Sequence, residues 1–140
     1  MKAKRTRGQS VVEFALILPI LLIILVMLVD LARLVSARVA LSNAAREGAR
    51  YAALFPNDLN TIRSRVLLEY NNSGRRVTGV ELTADQIVVS FPHGTDEPGH
   101  PVQVTIRCRF PLFFGSWFPE GMVDANGTML VQSTAEMIIL

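Results

Sequence analysis

Phe14 to Val29 is a run of sixteen residues without a charged or strongly polar side chain. Extended back to Val11 the run reaches nineteen residues, broken only by Glu13. At about 1.5 Å per helical residue it spans roughly 28 Å, close to the hydrocarbon thickness of a bilayer. The run therefore predicts one transmembrane helix. Four basic residues, Lys2, Lys4, Arg5 and Arg7, precede it. The positive-inside rule keeps such a leader in the cytosol and places everything after Asp30 across the membrane. The competing reading is a cleaved secretory signal, with Val35-Ser36-Ala37 as a small-residue cleavage site. The run is longer than a usual signal core and passes without a break into more helix, which argues against cleavage there.

The 140 residues carry 14 basic and 12 acidic side chains, but the excess belongs to the leader. Without those four residues the balance is two negative charges. No basic surface interleaved with aromatics appears, so no nucleic-acid partner is expected. Cys108 is the single cysteine, so no intramolecular disulfide can staple the fold. The outer domain must hold on its core alone.

Helical character continues past Asp30 to about Phe55. Pro19 is expected to kink this helix rather than end it, since the pattern continues on both sides. Ala40, Ala44, Gly48 and Ala52 recur every four residues, beside a second row of Ala45, Ala49 and Ala53. Small residues at this spacing admit close approach of another backbone. Packing on the protein's own sheet and packing between subunits both fit. Phe55-Pro56-Asn57-Asp58 should end the long helix and cap a short second one, whose apolar face is Leu59, Ile62, Val66 and Tyr70. Asn71-Asn72-Ser73-Gly74 should stop it.

The remainder alternates with period two, which predicts about four strands. Val80 and Leu82 mark the first, and Ile87, Val89 and Phe91 the second. Val102, Val104, Ile106, Cys108 and Phe110 mark the third, with Gln103, Thr105, Arg107 and Arg109 facing out. The fourth carries Met129, Val131, Ser133, Ala135, Met137 and Ile139. The expected class is α+β, an antiparallel sheet with one face on the helices. The expected divisions are a basic leader at 1–8, the long helix at 9–55 and an extracytoplasmic domain at 56–140. An outer domain of 85 residues is marginal in size, so packing on the long helix should matter to it.

At the membrane boundary Gly8 precedes Glu13 by five positions. Gly8 presents an unhindered peptide bond to a protease. Cleavage there would make Gln9 the new N-terminus and Glu13 the fifth residue. An ionised carboxylate near hydrocarbon is costly, and a neighbouring subunit's free α-amino group could neutralise it. Glu13 at headgroup level with Gly8 as a flexible joint is the simpler alternative.

The stretch Gly8-Gln9-Ser10-Val11-Val12-Glu13-Phe14-Ala15-Leu16-Ile17-Leu18-Pro19 resembles the opening of the TadE-like family, the minor-pilin-like proteins of tight-adherence (Flp, type IVc) pilus systems. Ala44-Ala45-Arg46-Glu47-Gly48-Ala49-Arg50-Tyr51-Ala52-Ala53 is similar to that family's second characteristic stretch. The resemblance covers about residues 8–55. It implies a pilin-like architecture and a pseudopilin handled by a prepilin peptidase, a secretion ATPase, other pilins and membrane platform proteins. Phe14 follows Glu13 where the major pilins of these systems more usually have tyrosine.

Other polar clusters carry weaker signals. His93, Asp96, Glu97 and His100 sit between Pro92 and Pro101 at a spacing that matches no metal motif. Asp124, Asn126 and Thr128 around Gly127 read as a turn more simply than as calcium ligands. Cys108 alternates with valine and isoleucine, as a buried structural thiol does. No catalytic constellation, cofactor or small-molecule substrate is expected. Phe110 to Pro119 holds five aromatic residues in ten. It reads as a flap over the sheet or as an exposed apolar patch for a partner subunit or the membrane surface. The resulting expectation is a non-catalytic minor pilin of the inner membrane. The alternative is a permanently anchored envelope protein whose outer domain binds a ligand or partner.

Overall fold

The computed structural model describes residues 6–119 and 121–140. One helix, α1, runs unbroken from Thr6 to Leu54, 49 residues with Pro19 inside it. At about 1.5 Å per residue it is roughly 74 Å long. The side chains from Gln9 to Val29 are exposed or half-buried, whereas the outer half buries a stripe from Asp30 onward. Two segments share one helix, and only the second has a protein core to pack on.

Helix α2, Leu59–Ser73, starts at an Asp58 cap whose carboxylate accepts the Thr61 backbone N–H at 3.2 Å. Ile62, Val66 and Tyr70 of its expected face are buried, while Leu59 at its start stays exposed. Gly74 does not send the chain away from helix. A further turn, α3 (Arg75–Thr78), follows it, and the left-handed stop comes at Gly79 with φ 69°.

Three strands form the sheet rather than about four. They are β1 (Ile87–Ser90), β2 (Pro101–Pro111) and β3 (Thr128–Ile138), antiparallel in that order. The expected strand at Val80 and Leu82 is absent, and the reason lies in its backbone. The Val80 N–H goes to Thr78 Oγ1 and the Val80 carbonyl accepts from the Tyr70 hydroxyl. Those groups are spent on a local buried cluster and are not offered to a neighbouring strand. Leu82 is buried all the same. Tyr70 also bonds Thr78 Oγ1 at 3.1 Å, so the tyrosine ties the end of α2 to the chain leaving α3.

Alternation along β2 follows the pleat. Val102, Val104, Ile106, Cys108 and Phe110 face the helices and are buried. On the opposite face Thr105 and Thr134 meet at 3.0 Å across β2 and β3, and Gln103 donates to Glu136. Such cross-strand pairs help fix the register, which places Val104 opposite Ala135 and Cys108 opposite Val131.

The core forms where α1, α2 and the sheet meet. Ala37, Ala40, Ala44, Ala45, Ala49 and Ala52 are buried there with Leu41, Ile62, Val66 and the inner face of β2. Gly48 lies in the same stripe. A Cβ built on it would overlap a Val66 methyl of α2 and press on Val104 of β2. The small-residue rows thus meet the chain's own elements. Adding a methyl to a filled core site costs about 1–3 kcal/mol. Gly48→Ala should lower stability by that amount in urea unfolding of the full chain in detergent. Val66→Ala should then cost less in the Gly48→Ala background than alone, because the two share one space. Strictly additive costs would show that the overlap is not what Gly48 avoids.

Candidate functional site at the membrane boundary

Two clusters frame the apolar run of α1. At its start, Gly8 lies in the first turns of the helix, which begins at Thr6. Gln9 Nε2 donates to Glu13 Oε1 at 3.1 Å, a pairing of residues four apart on one helical face. In the sequence Gln9 stands out only as a prospective N-terminus. Its side chain also serves the Glu13 carboxylate within the same chain. Lys2, Lys4 and Arg5 of the expected leader lie outside the described residues.

At the outer end, Asp30 is 1% exposed although it directly follows the apolar run. Its Oδ2 accepts the backbone N–H groups of Phe113 at 2.8 Å and Phe114 at 3.2 Å, some eighty positions along the chain. Its Oδ1 lies 3.5 Å from Arg33 Nη1, one turn on. Arg33 in turn donates to the Thr78 carbonyl at 3.2 Å. The guanidinium also stands over the rings of Phe110 at 5.1 Å and Phe113 at 4.7 Å. A buried carboxylate is tolerated when it is paired and hydrogen-bonded, and Asp30 has both an ion pair and two amide donors. The assembly clasps the aromatic loop to the helix where the apolar run ends. In the sequence Asp30 marks only the end of the span. An acid and a base three apart directly after an apolar run were the available signal. The partners on the distant loop had none.

Other singled-out residues fall into structural roles. The aromatic stretch is divided between the core and the surface. Phe110 is buried under Arg33, while Phe113 and Trp117 are 67% and 63% exposed. The rings of His93 and His100 meet at a tilt of 59° with centroids 5.6 Å apart. Among the described residues no group of three His, Cys, Asp or Glu side chains could hold a metal ion. The Asp124 carboxylate accepts the N–H groups of Asn126 at 3.0 Å and Thr128 at 2.9 Å, and the Thr128 hydroxyl at 2.6 Å. That is the geometry of an Asx turn. Cys108 is buried, and burial pushes its thiol above the ordinary range.

With this geometry in view, the comparisons with known proteins divide the chain in two. Residues 8–50 match the family of TadE-like proteins. No curated protein and no solved structure matches the chain. The TadE-like segment takes in Gly8, Gln9, Glu13, the whole apolar run, Asp30, Arg33 and the small-residue rows as far as Ala49. It stops short of α2 and the sheet. Within the segment lies the candidate membrane span. Its most apolar 18-residue stretch has a mean hydropathy of 3.0 and none of it is buried in the protein. The chain thus carries a TadE-like segment with one helix suited to membrane anchoring.

Removing one partner of a buried pair leaves the other charge uncompensated, which costs about 3–5 kcal/mol. Asp30→Ala should destabilise the outer domain by roughly that much. It should also open the Phe113 and Phe114 amides to hydrogen exchange and their peptide bonds to chymotrypsin. Unchanged protection at these two amides would show that Asp30 does not hold the loop. The Thr128 hydroxyl, then the Thr128 and Asn126 amides and nearby Arg109, hold the Asp124 carboxyl below its usual value. A carboxyl lowered in the fold stabilises above its unfolded value, about pH 3.9. That contribution is lost as pH falls through the folded value. Acidification through this window should lower the protection factor of the Thr128 amide, its exchange corrected for the intrinsic pH dependence, in the parent protein. The Asp124→Asn variant should show a flat profile.

Proposed function

We propose that this chain is a minor-pilin-like structural component in the assembly of a tight-adherence (type IVc) pilus. The observation that carries the reading is the TadE-like match over residues 8–50, in register with a single apolar helix. In this reading the N-terminus is cytosolic, residues 1–8 are a leader, and the domain after the helix lies outside the inner membrane. A prepilin peptidase cuts after Gly8. Gln9 becomes the mature N-terminus, and other pilins and the platform proteins receive the mature chain. The reading is non-catalytic. In its support, Asp30, Cys108 and Asp124, groups that could do chemistry elsewhere, are committed here to the clasp, the core and a turn.

Gln9 and Glu13 suggest how maturation and assembly connect. Before cutting, the Gln9 side chain shares the Glu13 carboxylate with solvent or headgroups. After cutting, a neighbouring Gln9 α-ammonium offers a full charge, a stronger partner than an amide in a low-dielectric surround. Assembly then exchanges a neutral donor for an ionic one.

One observation favours the rival reading of a permanently anchored envelope protein. Helix α1 already includes the Gly8–Gln9 bond, and a protease needs that bond in extended backbone. The two readings separate on mass. In cells carrying the pilus system the mature protein should begin at Gln9. Gly8→Val should leave the full-length chain in the membrane. Glu13→Ala should be cut but should co-purify poorly with the other pilus components. A wild-type chain that keeps its first eight residues would favour the permanent anchor. Normal assembly of a cut Glu13→Ala chain would remove the charge-pairing step alone.

A further inference from the structure

Two contacts fix how the outer domain lies along α1. At one end Asp30 holds the N–H groups of Phe113 and Phe114, just beyond β2. At the other, the Leu140 N–H donates to the Ala53 carbonyl at 2.9 Å, just beyond β3. From Asp30 to Ala53 the helix rises roughly 35 Å. An eleven-residue strand such as β2 or β3 spans about the same. Strand β2 therefore runs toward the apolar run and β3 runs away from it. Their connection, residues 112–127, forms the end of the domain nearest the membrane span.

Among the described residues of that end the large exposed side chains are apolar. Phe113, Trp117 and Met122 present 67%, 63% and 60% of their surface. Residues 112–127 contain no lysine or arginine. Asp124, one of the two acids there, has its carboxylate turned to Thr128 and Asn126. The loop is also closed on itself. The Leu112 N–H donates to the Gly127 carbonyl, and Gly115 lies so close to Gly127 that a Cβ would strike its backbone. Phe114 and Trp117 meet edge to face at 5.8 Å.

Lipid is the occupant that these facts select. The apolar run ends at Val29, so the residues of α1 that follow it stand at the interface of the bilayer the helix spans. They include Leu31 and Val35, which are exposed. The loop stands at the same level through Asp30. Tryptophan is favoured at the headgroup boundary, where its ring is half in hydrocarbon and its N–H meets water. The loop also covers the Asp30 carboxylate, while Arg109 stays exposed beside Asp124.

We propose that the turn carrying Phe113 and Trp117 is an interfacial anchor that seats these two rings in the outer leaflet of the bilayer α1 spans. It sets the height of the outer domain on the membrane. The proposal rests on α1 being a membrane span. Seating is hydrophobic and not ionic, so it is insensitive to salt.

Trp117 is the only tryptophan and reports its own surroundings. The full chain is reconstituted at low protein-to-lipid ratio in phosphatidylcholine vesicles. The lipids carry bromine either close to the headgroup or near the chain ends, and the vesicles are washed with alkaline carbonate. The chain should remain in the vesicles, with emission to the blue of the urea-unfolded protein. Headgroup-proximal bromine should quench Trp117 more than deep bromine, with no change in molar salt. Phe113→Ser should lose much of that quenching while the circular dichroism is unchanged. If the chain resists carbonate but acrylamide quenches Trp117 and bromolipid does not, the anchor is rejected and the span stands. A blue shift that grows with protein-to-lipid ratio and ignores bromolipid assigns the loop to another protein chain and overturns the proposal. Release by carbonate removes the span and the anchor together.

Discussion

Close approach of two backbones to the outer half of α1 is the condition on which the domain depends. Leucines on the inner stripe would hold α2 and the sheet several ångströms further out. Alanine there and glycine at position 48 let Val66 and Val104 nest against the helix itself. Without a disulfide, the outer domain owes its compactness to this contact. The same residues carry high helix propensity, so one choice serves both the long helix and its packing. The cost falls on tolerance. A stripe filled this closely has no room for a methyl at Gly48.

Asp30 shows how a charge can live at such a boundary. The loop brings two amide donors, Arg33 brings the counter-charge, and the rings of Phe110 and Phe113 cover the guanidinium. Each group would be costly to bury without the others. The cluster also joins three distant parts of the chain, because Arg33 reaches the Thr78 carbonyl after α3 while Asp30 reaches the loop after β2.

The elements legible in the sequence were those whose pattern continues over many residues. The apolar run, the heptad-free alanine rows, the face of α2 and the strict alternation of β2 each repeat often enough to be read. The Asp58 cap and the Asp124 turn were legible because both act over four residues or fewer. Val80 and Leu82 mimic a strand, yet Tyr70 and Thr78 take the backbone groups that a strand needs. That competition is set by where a tyrosine ten positions earlier ends up. The Asp30 clasp was hidden for the same reason at greater range. Nothing local at Phe113 says that its amide will face a carboxylate on the first helix. Gly8, Gln9 and Glu13 were legible as a pattern, while the Gln9–Glu13 bond follows from their helical spacing.

Fastening the domain at both ends has a mechanical consequence. Strands β2 and β3 lie lengthwise beside α1, so a pull along the helix runs nearly parallel to them. Antiparallel hydrogen bonds stand across their strands. A pull between the two fastenings enters at Phe113 and leaves at Leu140, so it runs along the covalent backbone of the connection and of β3, while the ladder to β2 braces that strand from the side. A domain fastened this way is braced along the second half of α1 like a splint, with the Asp30 clasp and the Leu140–Ala53 bond as its two end fittings.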